Sequence, residues 1–534
     1  MFILKRGIDV FLQEIVIPAA YHRAFENGIP DHPKDEYPET RLMKRRIIIH
    51  SGPTNSGKTY QSIQSLIKAE KGVYLAPLRL LALEIFEKLH DAGVNCDLIT
   101  GEEEALVPFA THLSSTIEKA NFMEIYDVAV IDEAQLIGDK QRGNAWYRAI
   151  LGLKAKELHI CCSLYAVELN EKIIKECKDQ VEIHHHERST PLKIQNTKVD
   201  FPVDIQKGDA IIAFSRKKVL RLAAHLKKAG FKPAVIYGTL PPVTRRKQVE
   251  LFNDGEADIV VSTDAIGMGL NLPIQRVVFT ELKKYDGTVV RELTSQEVKQ
   301  IAGRAGRKGI FNIGYVASLT AKGCQIIERK LKQRDIPVKT AIIEPLEETI
   351  AQIQYGQLVD KLRHWNDFTY KLDYLEKANI DQRINLLTSL PKKLVASTPE
   401  SDLYRAIHIP FKAHKMNLVN QWERYILEVI KKNPELEKPE IELSKRCSLE
   451  LLEEKYQLLD LYYSFSKVFQ KRLDQDWLIE NRENVSNLIL QYLVGKNLDI
   501  FIKCQACGEE KILYFEEGDY CSSCKFEKAP FLFS

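Results

Sequence analysis

The chain has 534 residues, 45% of them hydrophobic, enough for roughly three or four domains with sizeable cores. Its 76 basic and 73 acidic residues nearly cancel, leaving a formal charge of +3, so no global field marks a nucleic-acid binder; local basic runs such as Lys44-Arg45-Arg46 and Arg245-Arg246-Lys247 are read as solvated faces. Ten cysteines, single except for Cys161-Cys162 and a terminal group, suit a reducing compartment better than a disulfide framework.

Near the N-terminus, "VFLQEIVIPAA" (10–20) is apolar but contains Glu14, falls short of membrane-spanning length and is soon followed by acidic residues. It is read as neither a membrane segment nor a secretion or import signal, and the chain is expected to be cytoplasmic, without a membrane partner.

The next stretch, "IIIHSGPTNSGKTY" (47–60), carries three β-branched residues, then G-x-x-x-x-G-K-S/T, then apolar helical periodicity. Strand, glycine loop and helix together are the context a phosphate loop requires. Gly52 and Gly57 let the backbone fold back so that the N–H groups of Thr54, Asn55, Ser56 and the helix start face phosphate. Lys58 is expected on the β- and γ-phosphates, and the Thr59 hydroxyl on Mg²⁺.

The apolar strand of "YDVAVIDEAQLI" (126–137) ends in Asp132-Glu133-Ala134-Gln135. Two acids at the C-terminal end of a buried strand lie where the crevice of an α/β sheet opens. Asp132 is expected to hold Mg²⁺, and Glu133 to act on the attacking water.

From about residue 46 to 340 short β-branched runs such as "GVYLAP", "ELHICCS", "DAIIAFS" and "RVVFT" alternate with helical stretches, the signature of parallel sheets with helices on both faces. Ten such runs exceed one nucleotide-binding unit. The polar "HHHERSTPLKIQNTK" (184–198) falls midway and is read as a loop joining two α/β domains, with His184-His185-His186 as ordinary loop residues rather than metal ligands. In the second domain "QIAGRAGRKG" (300–309) spaces Arg304 and Arg307 three apart. On the first turn of a helix that spacing presents both guanidiniums to one side. They are expected to reach the γ-phosphate from across an interdomain cleft, with Gln300 orienting the water.

After Pro345 long helical periodicity takes over, for example Leu452, Tyr456, Leu459 and Tyr463, a stripe read as core packing. The end of the chain carries Cys504-x2-Cys507, thirteen residues, then Cys521-x2-Cys524. Two such knuckles are expected to supply four thiolates to a closed, structural Zn²⁺. Aromatic residues and lysines around it (Lys503, Lys511, Tyr514, Phe515) fit either nucleic-acid binding or packing against the helical domain.

The three motifs in this order resemble a superfamily 2 helicase of the DExH kind, the residue after Ala134 being Gln135 rather than Asp. "GPTNSGKTY", "PLRLLALEIFEKL", "GVNCDLITGEE" and "TSQEVKQIAGRAGR" closely resemble the RNA helicase family of the mitochondrial RNA degradosome and its bacterial relatives. The resemblance implies two tandem RecA-like domains. It places Pro77, Leu78, Arg79, Thr100 and Gly101 of the first domain, and Gly238, Thr263 and Asp264 of the second, on nucleic-acid phosphates, and Gly267 at the nucleotide. Ser163 in "CCSLYA" stands where helicases carry a coupling Ser-Ala-Thr. No upstream adenine-reading motif is present, so selectivity for ATP over other triphosphates is expected to be loose.

The expected architecture is an N-terminal segment (1–45), RecA-like domains over 46–190 and 191–340, a helical domain (341–497) and a four-cysteine zinc module (498–534). The expected activity is NTP-dependent unwinding of single-stranded-tailed nucleic acid, RNA favoured over DNA, with 3′→5′ polarity implied by the resemblance alone. ATP, Mg²⁺ and Zn²⁺ are the expected cofactors. An exoribonuclease partner is suggested by the degradosome resemblance, the residues themselves being silent on it. An ATP-dependent clamp or remodelling protein without strand separation is the alternative.

Overall fold

The computed structural model describes residues 28–494 except 268, 308, 355 and 444–446, with scattered positions before residue 28 and the short segments 501–503 and 510–512. The first sheet contains β1 (Arg46–Ser51), β2 (Gly72–Ala76), β3 (Cys96–Ile99), β4 (Glu104–Ala105), β5 (His112–Thr116), β6 (Ile125–Ile131), β7 (Lys154–Cys162) and β8 (Gln180–His185). Their order is β4-β3-β5-β2-β6-β7-β1-β8, parallel throughout except β3 with β4. β1 lies between β7 and β8 with Ile47 opposite Leu158 and Val181, and Ile49 opposite Ile160 and Ile183. Ile47, Ile49, Leu158 and Ile160 are wholly buried, which is why these runs read as continuous rather than alternating apolar segments. Each such side chain stabilises the fold by ~1.5–3 kcal/mol relative to exposure. Helices Lys58–Lys68, Arg79–Asp91, Gly143–Gly152 and Val167–Glu176 cover the sheet.

The second sheet contains β9 (Leu192–Ile194), β10 (Asp209–Ile212), β11 (Pro233–Ile236), β12 (Ile259–Ser262), β13 (Arg276–Phe279) and, after a hairpin of β14 (Lys283–Tyr285) and β15 (Val290–Glu292), β16 (Gly314–Ser318). It runs β11-β12-β10-β13-β16-β9, all parallel. The helix Ser295–Ala302 starts on a capping box in which Thr294 accepts from the Glu297 N–H and Glu297 from the Thr294 N–H. In a parallel sheet the C-terminal strand ends share one edge, so the loops after β1, β6 and β7 come together, as do those after β11 and β12.

Besides the two-residue β4 and the short pairs β14–β15 and Ala341–Ile343 with Leu375–Lys377, three strands of the two sheets do not follow the sequence expectation. β5 carries no β-branched run; its Ser114 is buried and donates to the Ala82 carbonyl at 2.6 Å, which offsets the polarity of the position. β8 and β9 occupy parts of the stretch read as a polar loop. His184 belongs to β8, paired with His50, whose ring it meets edge-on; His50 in turn stacks on His159 with Nε2 2.8 Å from His159 Nδ1, so a row of histidines across β7, β1 and β8 holds the strand although the His184 edge stays half-exposed.

Beyond the short parallel pair β17 (Ala341–Ile343) and β18 (Leu375–Lys377) the chain is helical, ending in the long helices Met416–Ile430, Leu449–Val468 and Gln475–Val494. Leu452, Tyr456, Leu459 and Tyr463 are buried, as the stripe predicts. This region docks on both sheets' domains. Glu453 pairs with Arg216 at 2.5 Å and accepts from Tyr237 Oη at 3.0 Å, while Arg482 donates to the Glu102 carbonyl at 2.7 Å. No described helix is long and apolar enough to cross a membrane. Of the expected zinc module only the antiparallel pair Phe501–Lys503 and Glu510–Ile512 is described; Cys504, Cys507, Cys521 and Cys524 lie outside the described residues.

Candidate active site

One wall of the interdomain cleft is the loop after β1. Gly52 donates its N–H to the Cys162 carbonyl at 3.2 Å, and a Cβ there would sit 2.5 Å from the His186 carbonyl oxygen, so only glycine fits. Asn55 and Gly57 have φ of 61° and 83°, the left-handed turn that feeds the helix Lys58–Lys68. Ser56 Oγ is buried without a partner, and the buried Lys58 Nζ reaches only the Gly52 carbonyl, at 3.2 Å. A buried unpartnered donor and a cation aimed into a glycine loop fit an anionic ligand such as a nucleotide's phosphates.

The acids after β6 face this loop. Asp132 accepts from Tyr74 Oη at 2.7 Å and from Thr59 Oγ1 at 3.3 Å, and its backbone carbonyl accepts from Trp146 Nε1 at 2.9 Å. Burial, then the neighbouring Glu133 charge, pushes the Asp132 carboxyl up to about 6, against the Tyr74 hydrogen bond and Lys58. A hydroxyl beside a carboxylate is the hard-oxygen donor set Mg²⁺ takes, so these residues fit that ion. Glu133 has φ 51°, a strained setting for a residue with a Cβ that aims its carboxylate into the cleft. Gln135 Nε2 donates to that carboxylate, and Gln135 Oε1 accepts from the Ser163 N–H at 3.1 Å. The Ser163 position is thereby wired to Glu133.

The opposite wall comes from the second sheet's domain. Gln300 sits on the helix Ser295–Ala302, and a Cβ on Gly267 would lie 3.6 Å from Gln300 Cγ. Arg304 Nε donates to the Gly267 carbonyl at 3.1 Å, and its Nη1 to Leu270 at 3.4 Å. Burial lowers its pKa, while Glu133, then Asp132, oppose the shift from across the cleft. Arg307 Nη1 reaches the Asn271 carbonyl at 3.4 Å. The arginines do not lie on the first turn of a helix, as the spacing suggests, but follow the C-terminus of Ser295–Ala302. The Gly303 N–H bonds back to Lys299 at 2.8 Å, and Gly306 adopts φ 78° with its Cα packed on Gly314, so the chain turns out of the helix between them. Both guanidiniums nevertheless reach the 267–271 segment. The two walls touch: Asn55 Nδ2 donates to the Gly303 carbonyl at 2.9 Å.

The residues assigned to nucleic acid form a second cluster. Arg79, at the start of the helix Arg79–Asp91, pairs with Glu102, and Gly101 approaches its guanidinium. Thr100 Oγ1 accepts from the Glu103 N–H at 3.1 Å and shapes that turn. The Pro77 carbonyl accepts from Arg142 at 2.7 Å, and a Cβ on Gly269 would meet Leu78 at 3.1 Å. In the second domain the Gly238 carbonyl accepts from Arg245 at 2.8 Å, Thr263 caps the Ala265 N–H at 3.2 Å, and Asp264 pairs with Lys284 at 3.2 Å. Burial and then the Arg79 charge lower the Arg245 pKa, so the two domains bring these cations face to face. Tyr456, Asp460 and Arg482 of the helical region close the third side.

Residues 33–186 match the DEXQ-box helicase domain of Suv3 and residues 194–309 the helicase conserved C-terminal domain. The chain carries a Suv3-type DExH helicase core. The mitochondrial DExH-box ATP-dependent RNA helicase DExH16 of Arabidopsis thaliana is 47% identical over 304 residues, 56% of this chain and 53% of its own. The mitochondrial ATP-dependent RNA helicases SUV3 of Saccharomyces cerevisiae and of Oryza sativa subsp. japonica are 38% and 39% identical over 368 residues each. They cover 66% and 67% of this chain, and 50% and 62% of their own lengths. The chain thus spans about half the length of the curated relatives it matches. These names overturn the expected cytoplasmic location, since each relative is a mitochondrial protein; the acidic residues after the N-terminal apolar stretch, on which that expectation rested, do not speak against it.

Four residues of the Suv3-type core were not singled out from sequence. Tyr74 and Trp146 fix Asp132 but read as strand and helix core; Gln135 served only to classify the motif. Arg188 lies in the supposed loop and reaches both walls. A lone arginine in a polar stretch carries no signal by itself.

Proposed function

We propose that this chain is an ATP-dependent RNA helicase that hydrolyses nucleotide in the cleft between its two RecA-like domains. The observation that carries the reading is Arg304, half-buried on the second domain and facing Asp132 and Glu133 of the first. The loop 52–57 and Lys58 bind the phosphates. Thr59 and Asp132 would hold Mg²⁺, which when bound neutralises phosphate charge. Glu133 accepts the proton of the attacking water, which Gln300 orients. Arg304, with Arg307, meets the charge that develops as the γ-phosphoryl leaves, so the residues of two domains complete one site only when the cleft is closed. Gln135 links the Glu133 carboxylate to the Ser163 backbone, a route by which hydrolysis is passed to the sheet edge.

Pro77 to Arg79, Thr100 and Gly101 grip nucleic-acid phosphates from the first domain, and Gly238, Thr263 and Asp264 from the second. As the cleft opens and closes the two grips alternate along one strand, from 3′ to 5′. Phosphate contacts carry no sequence information, so selectivity among sequences is low. The relatives' names as RNA helicases favour RNA over DNA. Cys504, Cys507, Cys521 and Cys524 hold one structural Zn²⁺, and an exoribonuclease is the partner that would consume the unwound strand. Nucleotide hydrolysis measured with no polymer, single-stranded RNA and single-stranded DNA tests the proposal. RNA stimulation is expected. Equal rates under all three conditions would remove it, and stimulation without strand separation would favour an ATP-dependent clamp.

A further inference from the structure

The chain crosses from the first sheet to the second between His185, the end of β8, and Leu192, the start of β9. Arg188 sits midway on this crossing, half-buried, and every nitrogen of its guanidinium is engaged by a backbone carbonyl. Nε donates to Thr190 at 2.6 Å; Nη1 donates to Thr54 at 3.2 Å and to Gly303 at 2.7 Å; Nη2 donates to Ala305. Thr54 belongs to the phosphate loop. Gly303 and Ala305 flank Arg304 on either side. One guanidinium therefore fixes the peptide groups before and after Arg304, and the same nitrogen reaches the loop of the opposite wall.

A planar fork of five donors can do this; an ammonium cannot. The arrangement is costly by itself, because no carboxylate among the described residues pairs with Arg188, and burial alone lowers its pKa. Four carbonyl dipoles compensate the charge, three from the crossing and the second domain (Thr190, Gly303, Ala305) and one, Thr54, from the first domain's phosphate loop. The Asn55 side chain, donating to the same Gly303 carbonyl at 2.9 Å, marks the same closed arrangement from the other side. A Cβ on Gly303 would sit 2.8 Å from Thr54 Cβ, so the segments Arg188 ties together are already at packing distance.

We infer that Arg188 is a positioning residue for nucleotide hydrolysis: it registers the Arg304 segment against the phosphate loop, so that the cleft closes with Arg304 aimed at the γ-phosphate site. The inference rests on the functional reading given above. It makes the interdomain crossing a clamp held by Gly303 and Ala305 on the second domain, whose bond to Thr54 of the phosphate loop is the one that opening of the cleft would break. Arg188 does not touch substrate in this role. Its effect is felt through Arg304.

The test is a double-mutant cycle on the full chain, with nucleotide hydrolysis measured at saturating single-stranded RNA. Arg188→Ala is expected to lower kcat at least tenfold while leaving KM for ATP within about threefold, because the phosphate loop keeps its own contacts. Arg188→Lys is expected to stay within threefold of Arg188→Ala. In an Arg304→Ala background, Arg188→Ala is expected to cost less than a further twofold. Parent-like kcat, or the same fold-loss in both backgrounds, would overturn the inference, the second result marking a merely structural staple. If Arg188→Ala fails to fold, Arg188→Lys and Arg188→Gln carry the same cycle. Small-angle scattering needs no hydrolysis and separates this inference from the reading beneath it. A parent that hydrolyses nothing removes the functional reading, whereas equal radii of gyration for parent and Arg188→Lys remove the clamp.

Discussion

Replacing Arg304 by alanine probes the cleft at the point where its two halves meet. An arginine supplied across an interface to a departing γ-phosphoryl contributes ~10³–10⁵ in rate, or ~4–7 kcal/mol at ~1.36 kcal/mol per decade. The lower end is expected here, because Arg307 reaches Asn271 on the segment that holds Arg304 and remains in place as a second cation. Arg304→Ala should therefore lower kcat ~10³-fold with ATP affinity within a few-fold, since the contact is made in the transition state and not in the bound ground state. Stability should change little. The variant loses donors to Gly267 and Leu270, but also removes a half-buried cation whose desolvation is unfavourable. Single-turnover hydrolysis and equilibrium binding of a fluorescent ATP analogue measure the two quantities separately. A fall of less than tenfold in kcat, or a loss confined to ATP binding, would refute the assignment.

Other expectations follow from the same geometry. Lys58→Ala should abolish tight nucleotide binding, whereas Glu133→Gln should bind nucleotide and stall; hydrolysis by Glu133→Gln at the parent rate would mean that another group takes the proton. Stability should fall on acidification. Burial, then neighbouring histidines, hold His50 down to about 3, and burial, then Arg383, hold His408 down to about 3. Both lie below the ordinary value of 6.5, so between about 6.5 and 3 the unfolded chain binds the extra protons and stability is lost as pH drops. Unfolding free energies from urea titrations should decrease from pH 7.5 to 5.5, by up to ~1.4 kcal/mol per pH unit for each histidine, and a flat profile would contradict this burial. The terminal module should retain one zinc per chain and lose it in a Cys504→Ser, Cys521→Ser variant. Truncation after Gly495 should weaken single-strand binding with a shallower salt slope, and an unchanged slope would leave the module a structural role only.

Much of this was legible because parallel α/β sheets write their buried strands as continuous apolar runs. Ile47–Ile49 and Val128–Ile131 announce themselves, and the chemistry sits at fixed offsets beyond their ends. What sequence did not give was whatever depends on contacts between distant segments. His184 looks like loop until His50 and His159 lie beside it, and β5 is polar because its serine is satisfied by a helix carbonyl rather than by water. The spacing of Arg304 and Arg307 fits a helical turn, yet Gly303 and Gly306 on either side of Arg304 end that helix, a stop signal that the period argument passed over. Arg79 reads as a phosphate grip from its motif. Its nearness to Asp460 follows from a helical domain some 380 residues further along the chain, which no local pattern encodes.

The most direct test of the central claim is strand displacement on RNA duplexes carrying a 3′ or a 5′ single-stranded tail, with ATP and Mg²⁺, using the parent chain and Arg304→Ala. Displacement of the 3′-tailed duplex by the parent alone, with little on the 5′-tailed one, is the expected result. Equal displacement by Arg304→Ala, or none by a parent that hydrolyses ATP in response to RNA, would contradict it.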